Sequence, residues 1–187
     1  VLSGLLLNVA LYAVLRCKVL TDGALHSALA SQLMIAFGLL SVVVAAFFLS
    51  RQRDVKRMFA YSSIEHMGLI TFAFGLGGPV ATYAGLLHMT VHSLVKSPIF
   101  YAVGHACQKA GTQVMGDIRG LIKVSPTVAW GLMLGSLAIL GMPPFGVFAS
   151  EFLILTTAMR EQPWTTPLLL VALAVAFASV FSRVLPM

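Results

Sequence analysis

The run Val80-Ala-Thr-Tyr-Ala-Gly-Leu-Leu-His88-Met-Thr-Val-His92-Ser-Leu-Val-Lys96-Ser-Pro98-Ile-Phe-Tyr-Ala-Val-Gly-His105-Ala-Cys107 decides the class of this protein. It is long and apolar enough to cross a bilayer as a helix. His88, His92 and Lys96 fall at spacings of four, so they share one helix face, about 6 Å apart along the axis. Two imidazoles and an amine then form a polar stripe inside hydrocarbon. Such a stripe is costly and is kept where it faces protein, water or a mobile ion. Imidazoles of ordinary pKa near 6.5 pass protons in both directions, and low dielectric disfavours the charged form of an amine. The stripe reads as part of a proton path. Pro98 removes one helical hydrogen bond and is expected to kink the helix.

The rest of the chain agrees with a membrane setting. Of 187 residues, 59% are hydrophobic and only 10% charged, against about a quarter charged in a soluble domain. Mean hydropathy is +0.95. The expected class is all-α, a polytopic transmembrane bundle occupying residues 1–187 as a single domain. The expected spans are Val1–Leu15 (closed by Arg16, Lys18 and Asp22), Ala28–Leu49, Met58–Leu76, Val80–Cys107, a long Val128–Met159 stretch and Pro167–Phe181. The long stretch is interrupted by Gly141-Met-Pro143-Pro144-Phe-Gly146, a helix break. Unwound backbone at membrane depth occurs where it is buried in protein or lines a wet cavity. The stretch reads either as one broken crossing or as two re-entrant halves.

The net charge of +6 gathers in loops. Counting the broken stretch as one crossing puts Arg51, Arg53, Lys56, Arg57, Lys109, Arg119, Lys123 and Arg183 on one side. Arg16, Lys18 and Arg160 fall on the other. Eight against three makes the first side cytoplasmic. The charge therefore reports topology, and no basic groove interleaved with aromatics points to nucleic acid. Asp54, Lys56 and Arg57 read as a loop anchor, Asp117 with Arg119 as a loop salt bridge or turn, and Trp164 as an interfacial anchor. Cys17 and Cys107 are isolated and have no metal spacing.

Glu151 follows the helix break, where the freed N–H groups of a half-helix favour a carboxylate. It is a candidate proton acceptor or the partner of a lysine on another helix. Glu65 and His66 form a second acid–imidazole pair; as sequence neighbours they face different directions on a helix. Together with His105, toward the end of its span, they make a possible secondary relay. His26 is the weakest candidate. His88 and His92 have metal-compatible spacing, but Met89 stands where a zincin carries glutamate. The residues supply no Cys cluster for iron–sulfur and no nucleotide loop. Haem ligation would need histidines matched in depth on facing helices.

Three strings occur in order: Arg53-Asp54-Val-Lys56-Arg57-Met-Phe-Ala-Tyr-Ser-Ser-Ile-Glu65-His66-Met-Gly68; His88-x3-His92-x3-Lys96; and Gly141-Met-Pro143-Pro144-Phe-Gly146-x4-Glu151. As a set they resemble the antiporter-like, proton-conducting membrane subunits of complex I, cation/proton antiporters and membrane-bound hydrogenases. They look most like the F-type subunit of hydrogenase-4 or formate hydrogenlyase. The resemblance implies an inverted-repeat bundle with discontinuous helices, of which this chain is the C-terminal part. The N-terminal half-channel would precede Val1. It implies a midplane relay of His88, His92, Lys96 and Glu151, and a cytoplasmic (inner) membrane location. The implied partners are the bilayer, other membrane subunits and a peripheral redox arm, with protons as the transported ion. No catalytic chemistry or cofactor is expected in this chain, any iron–sulfur or metal centres lying in partner subunits. A cation/proton antiporter subunit is the alternative reading, and a haem-binding anchor a more distant one.

Overall fold

The computed structural model describes residues 2–25 and 28–187; His26 lies outside them. Among the described residues the chain is helical. A π-helical turn (Leu2–Leu6) leads into α1 (Leu7–Leu25), followed by α2 (Leu29–Leu49), α3 (Val55–Leu76) and α4 (Gly78–Ala110). A short α5 (Leu121–Val124), α6 (Pro126–Ile139), α7 (Gly146–Glu161) and α8 (Thr165–Val184) complete it. By length and composition, Gly4–Ala24, Leu29–Leu49 and Thr165–Val184 each suffice to cross a membrane. Helices α3 and α4 are long enough, but their interior faces carry the polar residues.

Several boundaries differ from the sequence reading, those of α1, α3 and α4 among them. The first helix does not stop at Arg16. It runs on through Lys18 and Asp22, which form an i,i+4 ion pair at 2.6 Å, so these charges sit on the helix surface rather than ending it. Helix α3 begins three residues earlier than expected, because the Asp54 carboxylate accepts from the backbone N–H groups of Lys56 (2.8 Å) and Arg57 (3.1 Å). The expected loop anchor is an N-cap. Helix α4 continues through Pro98 to Ala110.

Helices α2 and α3 pack through glycines. A Cβ on Gly38 would lie 2.8 Å from the Gly68 carbonyl oxygen, and one on Gly68 would lie 2.9 Å from that of Gly38. Small residues let helix backbones approach this closely in a bilayer, where van der Waals contact drives association. Chain reversal between α3 and α4 falls on Gly77 and Gly78, with φ of +72° and +75°, a region that side-chain-bearing residues rarely occupy.

The helix ends sort into two layers. Backbone bonds join the α2–α3 loop to the segment after α4: Val55 N–H donates to Gln113 O (3.1 Å) and Met115 N–H to Arg53 O (2.9 Å). Leu121 N–H donates to Met187 O (2.8 Å), and the Arg183 guanidinium to Ser50 O (2.5 Å). The C-termini of α2, α4 and α8, the N-terminus of α3, and α5 therefore share one end, which carries the basic loops. At the other end, Gly77–Pro79 and Arg160–Glu161 line one cavity. Helix α6 starts beside α5 and α7 finishes beside the α3–α4 turn. The interrupted stretch is thus a single broken crossing.

The apolar core forms separate bodies along the bundle. One gathers Leu49, Met58, Phe59, Ile99, Val103, Ile139, Val147 and Val180 toward the basic end. A second gathers Val42, Leu69, Phe72, Ala84, Ile154 and Leu169 toward the other. On α3, α4 and α7 alike, the buried polar residues lie between the members of these two bodies.

Candidate functional site: a buried polar layer at the helix break

Helix α4 turns His88, His92 and Lys96 inward, all completely buried, while Leu94 and Tyr101 on its opposite face are 69% and 71% exposed. Lys96 Nζ donates to the Phe59 carbonyl oxygen and to Ser62 Oγ, both at 2.9 Å, and lies 5.4 Å from the centre of the Phe59 ring. The amine is therefore held by α3. No lipid-facing route is needed to keep it solvated.

From α3, His66 comes into the middle of the group. Its Nδ1 is 3.0 Å from His88 Nε2 and 4.0 Å from Glu151 Oε1. Its ring centre lies 5.4 Å from that of His92, and the ring meets the Ile139 backbone at the end of α6. On its other side, His88 Nδ1 is 2.9 Å from Ser150 Oγ, which also sits 2.8 Å from the Val147 carbonyl oxygen. Among the described residues, neither nitrogen of the buried His92 ring has a hydrogen-bond partner.

The break between α6 and α7 places the acid. Gly141 adopts φ +68°, and a Cβ there would collide with the Glu151 carboxylate. Absence of a side chain at this residue is what lets the carboxylate rest against unwound backbone, with its other oxygen toward His66. Glu65, also buried, is within electrostatic reach of both Lys96 and Glu151.

Two proton orders satisfy these heavy atoms. When the Ser150 hydroxyl donates to Val147 O, His88 donates from Nδ1 and its Nε2 accepts from His66. When Ser150 donates to His88 Nδ1, His88 Nε2–H points at His66 instead. The two orders differ by a shift of protons along the chain Ser150–His88–His66, while the heavy atoms stay where they are.

The structure thus brings together His88, His92, Lys96, Glu151, Glu65 and His66. Glu65 and His66, read from the sequence as a possible secondary relay with His105, lie in the same layer as the stripe, and His66 is at its centre. His105 is exposed and lies on α4 beyond Lys96, lining an open cavity with Lys56 and Gln108; it does not join the layer. Pro143 and Pro144 lie in the break, and Gly146, read from the sequence as part of it, is the first residue of α7. Ser62, Ser150 and Gly141 were missed as site residues. Ser150, directly before Glu151 in an otherwise apolar run, was the readable signal. As ligand donors, His66, His88 and Glu151 present atoms within 4.8 Å of one another.

The sequence family described as NADH:quinone oxidoreductase/Mrp antiporter, TM matches residues 1–182. This chain belongs to that family. One antiporter-family relative is the hydrogenase-4 component F homolog of Methylacidiphilum infernorum (isolate V4), 52% identical over 98% of this chain and 38% of its own length. Another is NAD(P)H-quinone oxidoreductase chain 4 of Prochlorococcus marinus (strain MIT 9211), 30% identical over 94% of this chain and 31% of its own. The chain spans between about a third and two fifths of these relatives. Among solved structures, the membrane-bound sulfane sulfur reductase, an archaeal respiratory membrane complex, superposes with a TM-score of 0.79. It is 37% identical, over 84% of this chain and 32% of the matched one. Respiratory complex I from Thermus thermophilus gives 0.78 at 26% identity, over 84% and 34%. The Mrp complex from Dietzia sp. DQ12-45-1b shares the fold, with a TM-score of 0.89 at 22% identity, over 99% and 34%. The antiporter-family fold, an all-α bundle of membrane helices with a discontinuous one, is that of this chain.

Proposed function

We propose that this chain forms a proton-conducting half-channel in a membrane subunit of a redox-driven complex, of the kind to which hydrogenase-4 belongs. The observation that carries this reading is the inward-facing polar layer: an amine, three imidazoles and two carboxylates contributed by α3, α4 and α7. Groups of this kind are expensive in a bilayer and are retained on ion pathways. Imidazole and amine sites suit protons, whereas Na⁺ prefers oxygen ligands.

In this reading a charge change in a neighbouring subunit alters the field at Lys96. Its proton is then driven along the layer through His92, His66 and His88 toward Glu151, the Ser150–His88–His66 chain reversing its proton order as the charge passes. Lys96, held by Phe59 O and Ser62 Oγ, keeps its position in either charge state. The chain itself performs no covalent or redox step. We assign iron–sulfur or other metal centres to a peripheral arm built from partner subunits, and the assembly to the cytoplasmic membrane, with the basic end facing the cytoplasm.

The test is Lys96→Met in the full-length subunit, assembled into its complex and reconstituted in vesicles. Redox-linked proton uptake is expected to disappear while the complex still assembles. Wild-type uptake in this variant would end the proposal. Co-purifying iron–sulfur subunits support a redox-driven complex; their absence from an active, purified assembly assigns the chain to a cation/proton antiporter instead.

A further inference from the structure

A second site lies at the basic end, away from the polar layer. Arg53 in the α2–α3 loop, Arg119 just before α5 and Arg183 in the last turn of α8 line one cavity of about 310 Å³. Backbone bonds between Arg53 and Met115, and between Val55 and Gln113, fix two of its walls. Arg119 Nε donates to Gly116 O (3.0 Å). The Arg183 guanidinium donates to Ser179 O (2.7 Å) and Ser50 O (2.5 Å). Each guanidinium carries five N–H donors, so most of the donors are left for a ligand.

No described carboxylate lies within 4.0 Å of their nitrogens. Among the described residues the ion pairs within 4.0 Å are Lys18–Asp22 and His66–Glu151. Asp54, the acid next to Arg53, points its carboxylate at the start of α3. Three arginines from three segments, without a carboxylate, form a site for an anion that accepts several hydrogen bonds at once.

The cavity does not stand alone. A second one, of about 230 Å³, shares Pro186 with it and is lined by Ile122, Trp130, Met133 and Leu185. A cationic pocket at the end of a membrane bundle, with an apolar cavity on the other side of Pro186, suits a ligand with an anionic head and a hydrocarbon tail. A soluble anion would have no use for the apolar cavity. We propose that this pair of cavities binds an anionic glycerophospholipid, its phosphate among Arg53, Arg119 and Arg183 and an acyl chain along Trp130 and Leu185. The proposal is independent of how protons move through the layer.

The test uses the full-length subunit in its purified complex, delipidated in detergent and titrated with phosphatidylglycerol, phosphatidylcholine or inorganic phosphate, with bound lipid counted by native mass spectrometry. Wild type is expected to retain phosphatidylglycerol. Arg53→Gln combined with Arg119→Gln is expected to weaken that retention about tenfold or more and to leave phosphatidylcholine unaffected. Arg183 is left in place because it ties α8 to α2. Equal retention of phosphatidylglycerol by the double variant would overturn the proposal, as would displacement of the lipid by inorganic phosphate. A photoactivatable phosphatidylglycerol on the wild-type complex gives a readout independent of any variant's folding. Labelling of residues 119–122 and 185–187 supports the site. Labelling elsewhere, or a protein segment crosslinked into the apolar cavity from a probe at Ile122, refutes it.

Discussion

At the scale of single residues, the chemistry rests on small groups that position large ones. Ser150→Ala removes the hydroxyl beside His88 Nδ1 and leaves one end of the proton chain without a partner. Proton uptake is expected to fall about tenfold, with a stability loss of about 1 kcal/mol, the usual worth of a hydrogen bond; vesicle uptake and thermal melting measure the two effects separately. Gly141→Ala puts a Cβ where the Glu151 carboxylate rests and forces a side chain into a left-handed backbone. It is expected to cut uptake as deeply as Glu151→Gln, and near-normal activity would show that the acid does not need its seat on the break. The titratable residues of the layer were legible in the sequence, because an ionisable side chain inside an apolar run stands out. Their grouping was less so. Glu65 and His66 were expected to diverge because neighbours on a helix point apart. Yet both are buried, at 4% and 3% exposure. Helix α3 is enclosed by α1, α2, α4 and α7, so both of its faces look into protein. That enclosure is a tertiary property, which local spacing does not encode.

At the scale of elements, contact between α2 and α3 is set by glycine backbone meeting glycine backbone. Gly68→Leu would drive a branched side chain into the Gly38 carbonyl and into Ser41 and Val42. The pair has no room to absorb it, and overpacking of this kind costs about 1–3 kcal/mol or more. The variant is expected to lower the melting temperature of the assembled complex, while Gly23→Leu, which meets nothing within 4 Å, leaves it unchanged. Helix existence was readable from apolar runs, and the break at Gly141–Gly146 from its two prolines. Boundaries were not. The end of α1 was misplaced because Lys18 and Asp22, one turn apart, pair with each other along the helix and so do not stop it. The start of α3 was misplaced because Asp54 was read for its charge rather than for the two backbone N–H groups it satisfies.

At the scale of the whole molecule, the basic loops collect at one end and the α3–α4 and α7–α8 turns at the other. Single cysteines introduced in a cysteine-free background test this arrangement: Gln52→Cys should react only with a membrane-impermeant thiol reagent supplied from the cytoplasm. Gln162→Cys and Val80→Cys should react only from the opposite side. Labelling of positions 52 and 162 from the same side would convert the broken stretch into two re-entrant halves. Which end is basic was legible from charge counting, whereas the choice of one crossing for the α6–α7 stretch needed its two ends placed in different layers, α6 beside α5 and the end of α7 beside the α3–α4 turn. The apolar bodies on either side of the polar layer carry a last consequence. Phe59 and Ile99 lie on one side of it, Leu69 and Ile154 on the other, so the ionisable groups are walled off by apolar side chains toward both ends of the bundle. A membrane holding a voltage can therefore tolerate this chain at rest, since an apolar body on either side keeps the layer from joining the two surfaces.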